Sequence, residues 1–386
     1  MELPDYDVAI TGAGPVGSAL ALLLAKKAPD PGRIVLIGKQ LAGSPPLGAD
    51  RAVDPRALAL NHGSRVVLEQ LGAWPAESAD IHTVHVSQRG RLGRTLVRDI
   101  ELGVPRLGSV VAYDALLAAL HSAVARSGVK QLHAPYAAPL IAHHVHLSVG
   151  DQNISSGLAV QSDGIRPRGI ARDYNQHAVL ATVRASRPQA GWAYERFTGQ
   201  GPLALLPHPQ GQDLYSVVWC CSPVQAHELR KLDNAAFETA LHATFGDRLG
   251  RFRCINERHT FPLSLHAGPM QVNARTVAIG NAAQTLHPVA GQGLNLGLRD
   301  AVQLSQALAT WLSRPQSDPV PALSAFTRQR RPDRWLTAGI TDFLPRVFST
   351  RNPLIEHAGG LSLLAMDLSL GVRTPLARHL LQGLRI

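Results

Sequence analysis

Apolar residues fall along the chain in three rhythms. Unbroken short runs at Asp7-Val8-Ala9-Ile10, Arg33-Ile34-Val35-Leu36-Ile37 and Thr276-Val277-Ala278-Ile279 predict strands buried on both faces. Helical spacing predicts helices from Ser18 to Lys27, Asp54 to about Gly72, Asp114 to Arg126, Ala235 to Phe245 and Leu294 to Leu312, with Asp114 placed to cap its own helix. Alternation predicts strands around Val84-His85-Val86-Ser87, between Val129 and Gln161, and at Tyr174 to Val183, Ala193 to Phe197, Gly201 to Pro207 and Ser216 to Cys220. Phe261-Pro262-Leu263 leads back to the run at Thr276. After a linker from Pro315 to Pro321, helices are predicted over Leu323 to Arg334, Thr337 to Phe348 and Leu361 to Leu370. The fold class is α/β: a Rossmann-like domain, an inserted antiparallel sheet and C-terminal helices.

Two glycine-rich junctions sit where buried strands turn into helices. The first is Gly12-Ala13-Gly14-Pro15-Val16-Gly17, a G-x-G-x-x-G inside a strand–helix–strand unit. Gly12 makes the turn, Gly14 leaves room for a pyrophosphate and Gly17 lets helix and strand pack. The second runs from Gly280 to Asp300 and carries Pro288, Gly291 and Gly293 ahead of the helix at Leu294. A flat or anionic ligand could meet bare N–H groups there. A tight connection that needs glycine for its own geometry is the other reading of the spacing.

Composition narrows the class. With 45% hydrophobic and 17% charged residues the chain is globular, and 386 residues suggest two joined domains. The formal charge of +10 is carried almost wholly by Arg. The arginines are scattered and no nucleic-acid module appears, so no nucleic-acid partner is expected. Cys220, Cys221 and Cys254 form no C-x-x-C, which points to a reducing compartment and argues against a flavin disulfide reductase. The first strand begins almost at once, so no signal peptide is expected, and no apolar run reaches the roughly 18 residues of a membrane span. A cytoplasmic location follows as the expectation, with peripheral contact at the inner membrane face. No metal site stands out among the 17 His.

The wording of the second junction, Gly280-Asn281-Ala282-Ala283-Gln284-Thr285-Leu286-His287-Pro288, with Gly291-Gln292-Gly293, resembles the second flavin-contacting motif of the FAD-dependent aromatic hydroxylases. Its Gly-Asn form is similar to the 2-polyprenyl-6-methoxyphenol hydroxylases of ubiquinone synthesis. Asp54-Pro55-Arg56, Val84 to Gly90, Ser162-Asp163-Gly164, Arg196-Phe197 and Gly201 to Pro207 extend the resemblance over nearly the whole chain. It implies a monooxygenase that uses NAD(P)H and O2 through a flavin C4a-hydroperoxide to hydroxylate a phenol ring bearing a prenyl tail. It implies FAD contacts at Gly12, Gly14, Pro15, Gly17, Arg56, Asp163, Gly164, Gly280, Asn281, Pro288, Gly291, Gln292, Gly293, Leu294 and Asn295. The chemistry would be the flavin's, with no catalytic protein nucleophile. The Pro288 to Gly293 loop would position the ring, with His287 as a loop brace in preference to an acid–base group. Phe197, Leu205, Pro207 and Trp219 are the expected substrate-pocket residues. The resemblance implies an FAD domain of residues 1–80, 95–172 and 271–340, a substrate sheet of 81–94 and 173–270, and a helical region of 341–386.

Two departures qualify the pattern. Gly38 stands where the second strand should end in a carboxylate for the adenosine ribose, leaving Gln40 or backbone groups to substitute. After Asp163-Gly164, Pro167 and Ile170 replace the usual Ser and Arg, with Arg166, Arg168 and Arg172 nearby. Two alternative functions remain: hydroxylation of another aromatic ring, and a flavin-binding or non-catalytic scaffold of a biosynthetic complex.

Overall fold

The computed structural model describes residues 3–38, 54–91, 93–133, 139–141, 144–164, 169–288, 291–348 and 353–382. Gln40, Arg166, Pro167, Arg168, Val289 and Ala290 lie outside the described residues.

The strand Tyr6–Thr11 is central to the first sheet. It pairs in parallel with Ile34–Gly38 on one side and Gln152–Gln161 on the other. Thr276–Ala278 adds to the far edge of Gln152–Gln161, again in parallel. Val8, Ile10, Ile34, Leu36, Leu158 and Val160 turn one face of this sheet to helices Pro15–Ala25, Tyr113–Ala125 and Gln292–Ala307. Ala9, Val35, Ile37 and Ala159 turn the other face to Val145, Leu147, Val149 and Ile154. Burial on both faces explains why these strands read as unbroken apolar runs.

The second sheet is built around Ile170–Ala185, which pairs with His259–Ala267 and Gly211–Cys221. Gly201–His208 and Trp192–Thr198 follow, then Thr83–Gln88 and Arg94–Arg98. Alternation gives it two faces. Tyr194, Leu203, Leu205, Tyr215, Val217 and Trp219 pack under helices Pro223–Lys231 and Asn234–Phe245. The opposite face turns toward the first sheet and bounds a cavity.

Three expected elements differ. The stretch from Asp54 does not open a helix: Ala57–Asn61 is a strand paired with Gly108–Ala112, and the helix is His62–Gln70, capped by the Asn61 side chain. Asp114 lies inside the first turn of Tyr113–Ala125, not at its cap, and its carboxylate accepts from the Asp54 backbone N–H at 2.9 Å. The two helices expected over 323–348 are one helix, Val320–Phe348, of 29 residues. Pro332 removes one backbone donor inside it, and the helix continues through it with Arg330 and Arg334 on either side fixed by buried hydrogen bonds. The boundary expected at residue 340 falls within this continuous helix. Pro353–Leu368 and Leu370–Gln382 complete the chain.

Candidate active site

Both glycine-rich junctions open on one cavity of about 1340 Å³ between the two sheets. That exceeds the roughly 300–1,000 Å³ of a pocket for one drug-sized ligand. At one end the lining is Gly12, Gly14, Pro15, Arg56, Asp163, Gly164 and Asn281. Gly12 has φ +100° and donates its N–H to the Ile37 carbonyl at 2.8 Å, closing the turn. Gly17 does not reach the cavity. A Cβ there would lie 2.0 Å from the Gly12 carbonyl oxygen, so the residue serves close packing. Gly14 behaves differently: it begins helix Pro15–Ala25, and a Cβ on it would meet no atom within 4 Å. The space in front of this helix start is therefore kept clear of protein, and its N–H groups suit a pyrophosphate. Thr11 donates to Asp163 at 3.3 Å, and Ser162 donates to the carbonyls of Thr11 and Gly12, so the three segments are tied together.

The second junction brings Asn281, Pro288, Gly291, Gln292, Gly293, Leu294 and Asn295 to the cavity wall. Gly291 begins helix Gln292–Ala307 in the left-handed conformation, φ +60°. Asn295 fixes this start: its amide donates to the carbonyls of Gly291 and Ala59, and its oxygen accepts from the Asn61 backbone. Gly280 lies behind the wall with its N–H donated to Asp300 at 3.1 Å. His287 is fully buried and does not line the cavity. It contacts Gln176 Oε1 at 3.2 Å and the edge of Tyr174, and burial lowers its pKa to about 4. Tyr174 donates to Asp342, which also accepts from Arg172. These bonds tie the loop to the long helix, so Arg172 is engaged there.

Arg56 lines the cavity with its guanidinium 4.1 Å above the Tyr113 ring and paired with Asp54 at 2.6 Å. That pairing raises its pKa.

Of the four residues expected in the substrate pocket, only Phe197 lines the cavity. Leu205, Pro207 and Trp219 are corrected: they face the other side of the sheet, Leu205 and Trp219 in the core under the helices. Their strand neighbours Ala204, Leu206, Val218 and Cys220 line the cavity instead. The pleat makes this a one-residue difference in parity. The remaining wall is apolar and includes Phe261, Ile340, Phe343, Leu344 and Leu363. Phe343 is 61% and Phe261 38% exposed although both line the cavity, so they mark its mouth.

The motif reading missed the support behind the second junction. Arg330 is completely buried and donates to Asp300 at 2.7 Å and Asp333 at 2.5 Å. Arg334 donates to the carbonyls of Gly268 and Ala283. Asp300 also accepts from the Gln284 side chain. Arg330 and Arg334 sit one helical turn apart, and that spacing was the available signal.

Gly38 closes against the first junction. A Cβ on it would lie 2.4 Å from Ala13 Cβ, so the missing carboxylate cannot be restored by one substitution. Its φ is not positive, which makes the obstacle one of space. Ala13→Gly removes the nearer clash, leaving the Ala13 nitrogen at 3.0 Å for the backbone to absorb. With it alongside Gly38→Glu, FAD is expected to bind about tenfold or more tighter, the effect of one charge-assisted hydrogen bond. Fluorescence titration of apo-protein measures it. An unchanged dissociation constant in an equally stable double variant would show that other groups hold the ribose.

The α/β fold, with a cleared helix start and a second glycine loop on one cavity, is that of the FAD-dependent monooxygenases to which this chain is similar. The profile of the FAD binding domain family matches residues 156–336. A protein of Synechocystis described as uncharacterized is 32% identical over 90% of this chain and 86% of its own length. Ubiquinone hydroxylase UbiL of Rhodospirillum rubrum is 31% identical over 98% of this chain and 90% of its own. The chain therefore belongs to the FAD-dependent aromatic hydroxylase family, in the ubiquinone-biosynthesis subset. The crystal structure of p-nitrophenol 4-monooxygenase from Pseudomonas putida shares the fold: TM-score 0.74, 16% identity and all of both chains.

Proposed function

We propose that this enzyme hydroxylates the ring of a prenylated methoxyphenol on the route to ubiquinone. The substrate, O2, NAD(P)H and one proton would give the hydroxylated ring, water and NAD(P)+. FAD held there would supply the redox chemistry that couples NAD(P)H oxidation to insertion of one oxygen atom of O2. Gly12, Gly14 and Pro15 would hold its pyrophosphate, with Gly17 packed behind them and Arg56, Asp163 and Gly164 beside it. Asn281, held in place by the Gly280 anchor behind it, would serve its ribitol. Pro288, Gly291, Gln292, Gly293, Leu294 and Asn295 would position the ring, where the start of helix Gln292–Ala307 favours negative charge. The apolar wall excludes water from the reacting atoms.

The observation that carries the substrate class is the run of apolar lining from Phe197 and Leu206 to the mouth at Phe343 and Phe261. Such a channel suits an aromatic head inside and an isoprenoid tail leading out. Beside the cavity, helix Pro353–Leu368 turns Leu363 and Met366 inward and Leu361, Leu364 and Leu368 to solvent, Leu368 at 80% exposure. No helix among the described residues is long and apolar enough to cross a membrane. The exposed leucines instead suit insertion into a lipid surface from which the tail is drawn.

The test is NAD(P)H oxidation with FAD-loaded enzyme, using a long-tailed prenylphenol in anionic vesicles and a short-tailed soluble analogue. Both should stimulate oxidation and gain one oxygen. Leu361→Ser with Leu368→Ser should slow turnover of the vesicle-borne substrate by about a hundredfold or more while sparing the analogue, since burying each leucine contributes roughly 1.5–3 kcal/mol and about 1.4 kcal/mol is tenfold. No stimulation by either phenol sinks the substrate reading. Equal rates on vesicles for variant and wild type sink the membrane contact.

A further inference from the structure

The face of the second sheet that points away from the cavity carries an unpaired basic cluster. Strand register places Arg94 opposite Ser87, and Ser87 opposite Arg196. The three therefore form one row across three strands. Val84, Val86, Thr95 and Val97 line the cavity, so alternation turns His85, Ser87, Arg94 and Arg196 to the other face. Strand spacing sets the two arginine backbones roughly 10 Å apart with the Ser87 side chain between them. Two further arginines join from outside the row. Arg89 lies in the turn just past the end of the Ser87 strand, its N–H donated to the Phe197 carbonyl at 2.8 Å. Arg248 lies in the turn Asp247–Leu249, brought close because Phe245 packs edge-on against Tyr194 at 5.3 Å.

No carboxylate among the described residues balances this group. Among the described residues, Arg89, Arg94, Arg196 and Arg248 make no ion pair. Asp247 is the acid on the same turn, and it pairs with His242 at 2.8 Å. Glu195 alternates to the cavity face. Arg196 is half-buried, and its Nε is shielded from solvent without a hydrogen-bond partner. His85, beneath the row and 2% exposed, has its Nε2 in the same state. Burial together with Arg248 and Arg89 lowers the Arg196 pKa. Like charges gathered on a sheet face, and donors left unmet, both cost stability. The arrangement is unfavourable by itself and becomes favourable when a multivalent oxyanion bridges the guanidiniums.

We propose that Arg196, with Arg94, Arg89, Arg248 and the Ser87 hydroxyl, forms a binding site for a phosphoryl group on the face of the substrate sheet opposite the cavity. A tetrahedral dianion can accept from several arginine forks at once and from the hydroxyl between them, which a single carboxylate cannot. The site is separate from the flavin pyrophosphate site, because a whole sheet lies between them. The phosphoryl group is carried either by a soluble diphosphate or by a lipid headgroup.

The test uses FAD-saturated protein, so that the flavin's own phosphate site is filled, and flavin absorbance reports that it stays filled. Pyrophosphate is titrated at low salt. Phosphatidylglycerol–phosphatidylcholine vesicles are offered separately. Arg196→Gln is expected to weaken binding about tenfold or more, and the exposed Arg248→Gln by a smaller factor. Binding of free pyrophosphate assigns the site to a soluble ligand. Vesicle binding alone, lost in both variants, assigns it to a headgroup. In phosphate-free buffer Arg196→Gln should melt at or above wild type, because an unmatched half-buried charge is gone; with the bound probe the order should reverse. The proposal is overturned if wild type binds neither probe or both variants bind as wild type does. An Arg196→Gln variant that melts lower by the same margin with and without probe overturns it as well.

Discussion

Asp300→Ala is expected to destabilise the protein by about 3–5 kcal/mol, the cost of removing one side of a buried ion pair. Arg330 has no exposure to water, so its charge would be left with Asp333 alone while the Arg299 guanidinium already contacts the same carboxylate at 3.1 Å. Two neutral donors, the Gly280 N–H and the Gln284 amide, would also lose their acceptor. Urea unfolding should show a lower midpoint, and FAD titration a weaker dissociation constant, since Gly280 precedes the cavity residue Asn281. Asp300→Leu with Arg330→Met separates the two effects. Removing both charges should recover much of the stability, whereas the Gly280 anchor stays lost and FAD binding stays weak. A single variant with wild-type midpoint would show that the pair contributes nothing.

Acidification from about pH 6.5 to 4 should remove about 3 kcal/mol of stability through His287 alone, from 1.36 kcal/mol per unit and a folded pKa of about 4 against 6.5. The unfolded chain binds the proton in this window and the folded one refuses it, so stability is full above pH 6.5 and falls as pH drops. His85, held to about 4 by burial and by Arg248 and Arg94, acts in the same direction. Asp80 and Asp342, lowered from 3.8, share that sign only at still lower pH. Urea midpoints measured across pH 4–7 give the slope, and His287→Gln should reduce it by about half, leaving the part carried by His85. Equal slopes for the two proteins would show that His287 does not titrate this way.

The parts of the molecule legible in the sequence are those whose cause is local. Val8 to Ile10 and Ile34 to Ile37 announce a doubly covered sheet by continuity alone, and Gly12 and Gly291 stand where the backbone takes positive φ. What stayed hidden depends on partners distant in sequence. Leu205 and Leu206 are equally apolar, and only sheet pairing decides which one reaches the cavity. Ala57–Asn61 has helical residues but becomes a strand because Gly108–Ala112 offers its edge. Asp300 and Arg330 lie thirty positions apart on different helices, with no short motif to link them. Arg196 stands beside Phe197 in a familiar run of residues, and the charge gathered around it emerges only from the register of three strands.

The order of strands in the first sheet also carries a consequence in time. Gln152–Gln161 borders Thr276–Ala278, and the acid that holds Gly280 awaits Arg330 from the long helix. A ribosome adding about 5–20 residues per second takes roughly ten seconds to travel from one of those strands to the other. Throughout that interval the parallel edge at Ala159 to Gln161 is synthesised but unclosed, an open template for mispairing. The nascent chain cannot complete its nucleotide cleft until the basic helix has left the exit tunnel. Cofactor capture is thus placed at the close of synthesis, and a chain released early would emerge with a sticky sheet edge and no flavin to steady it.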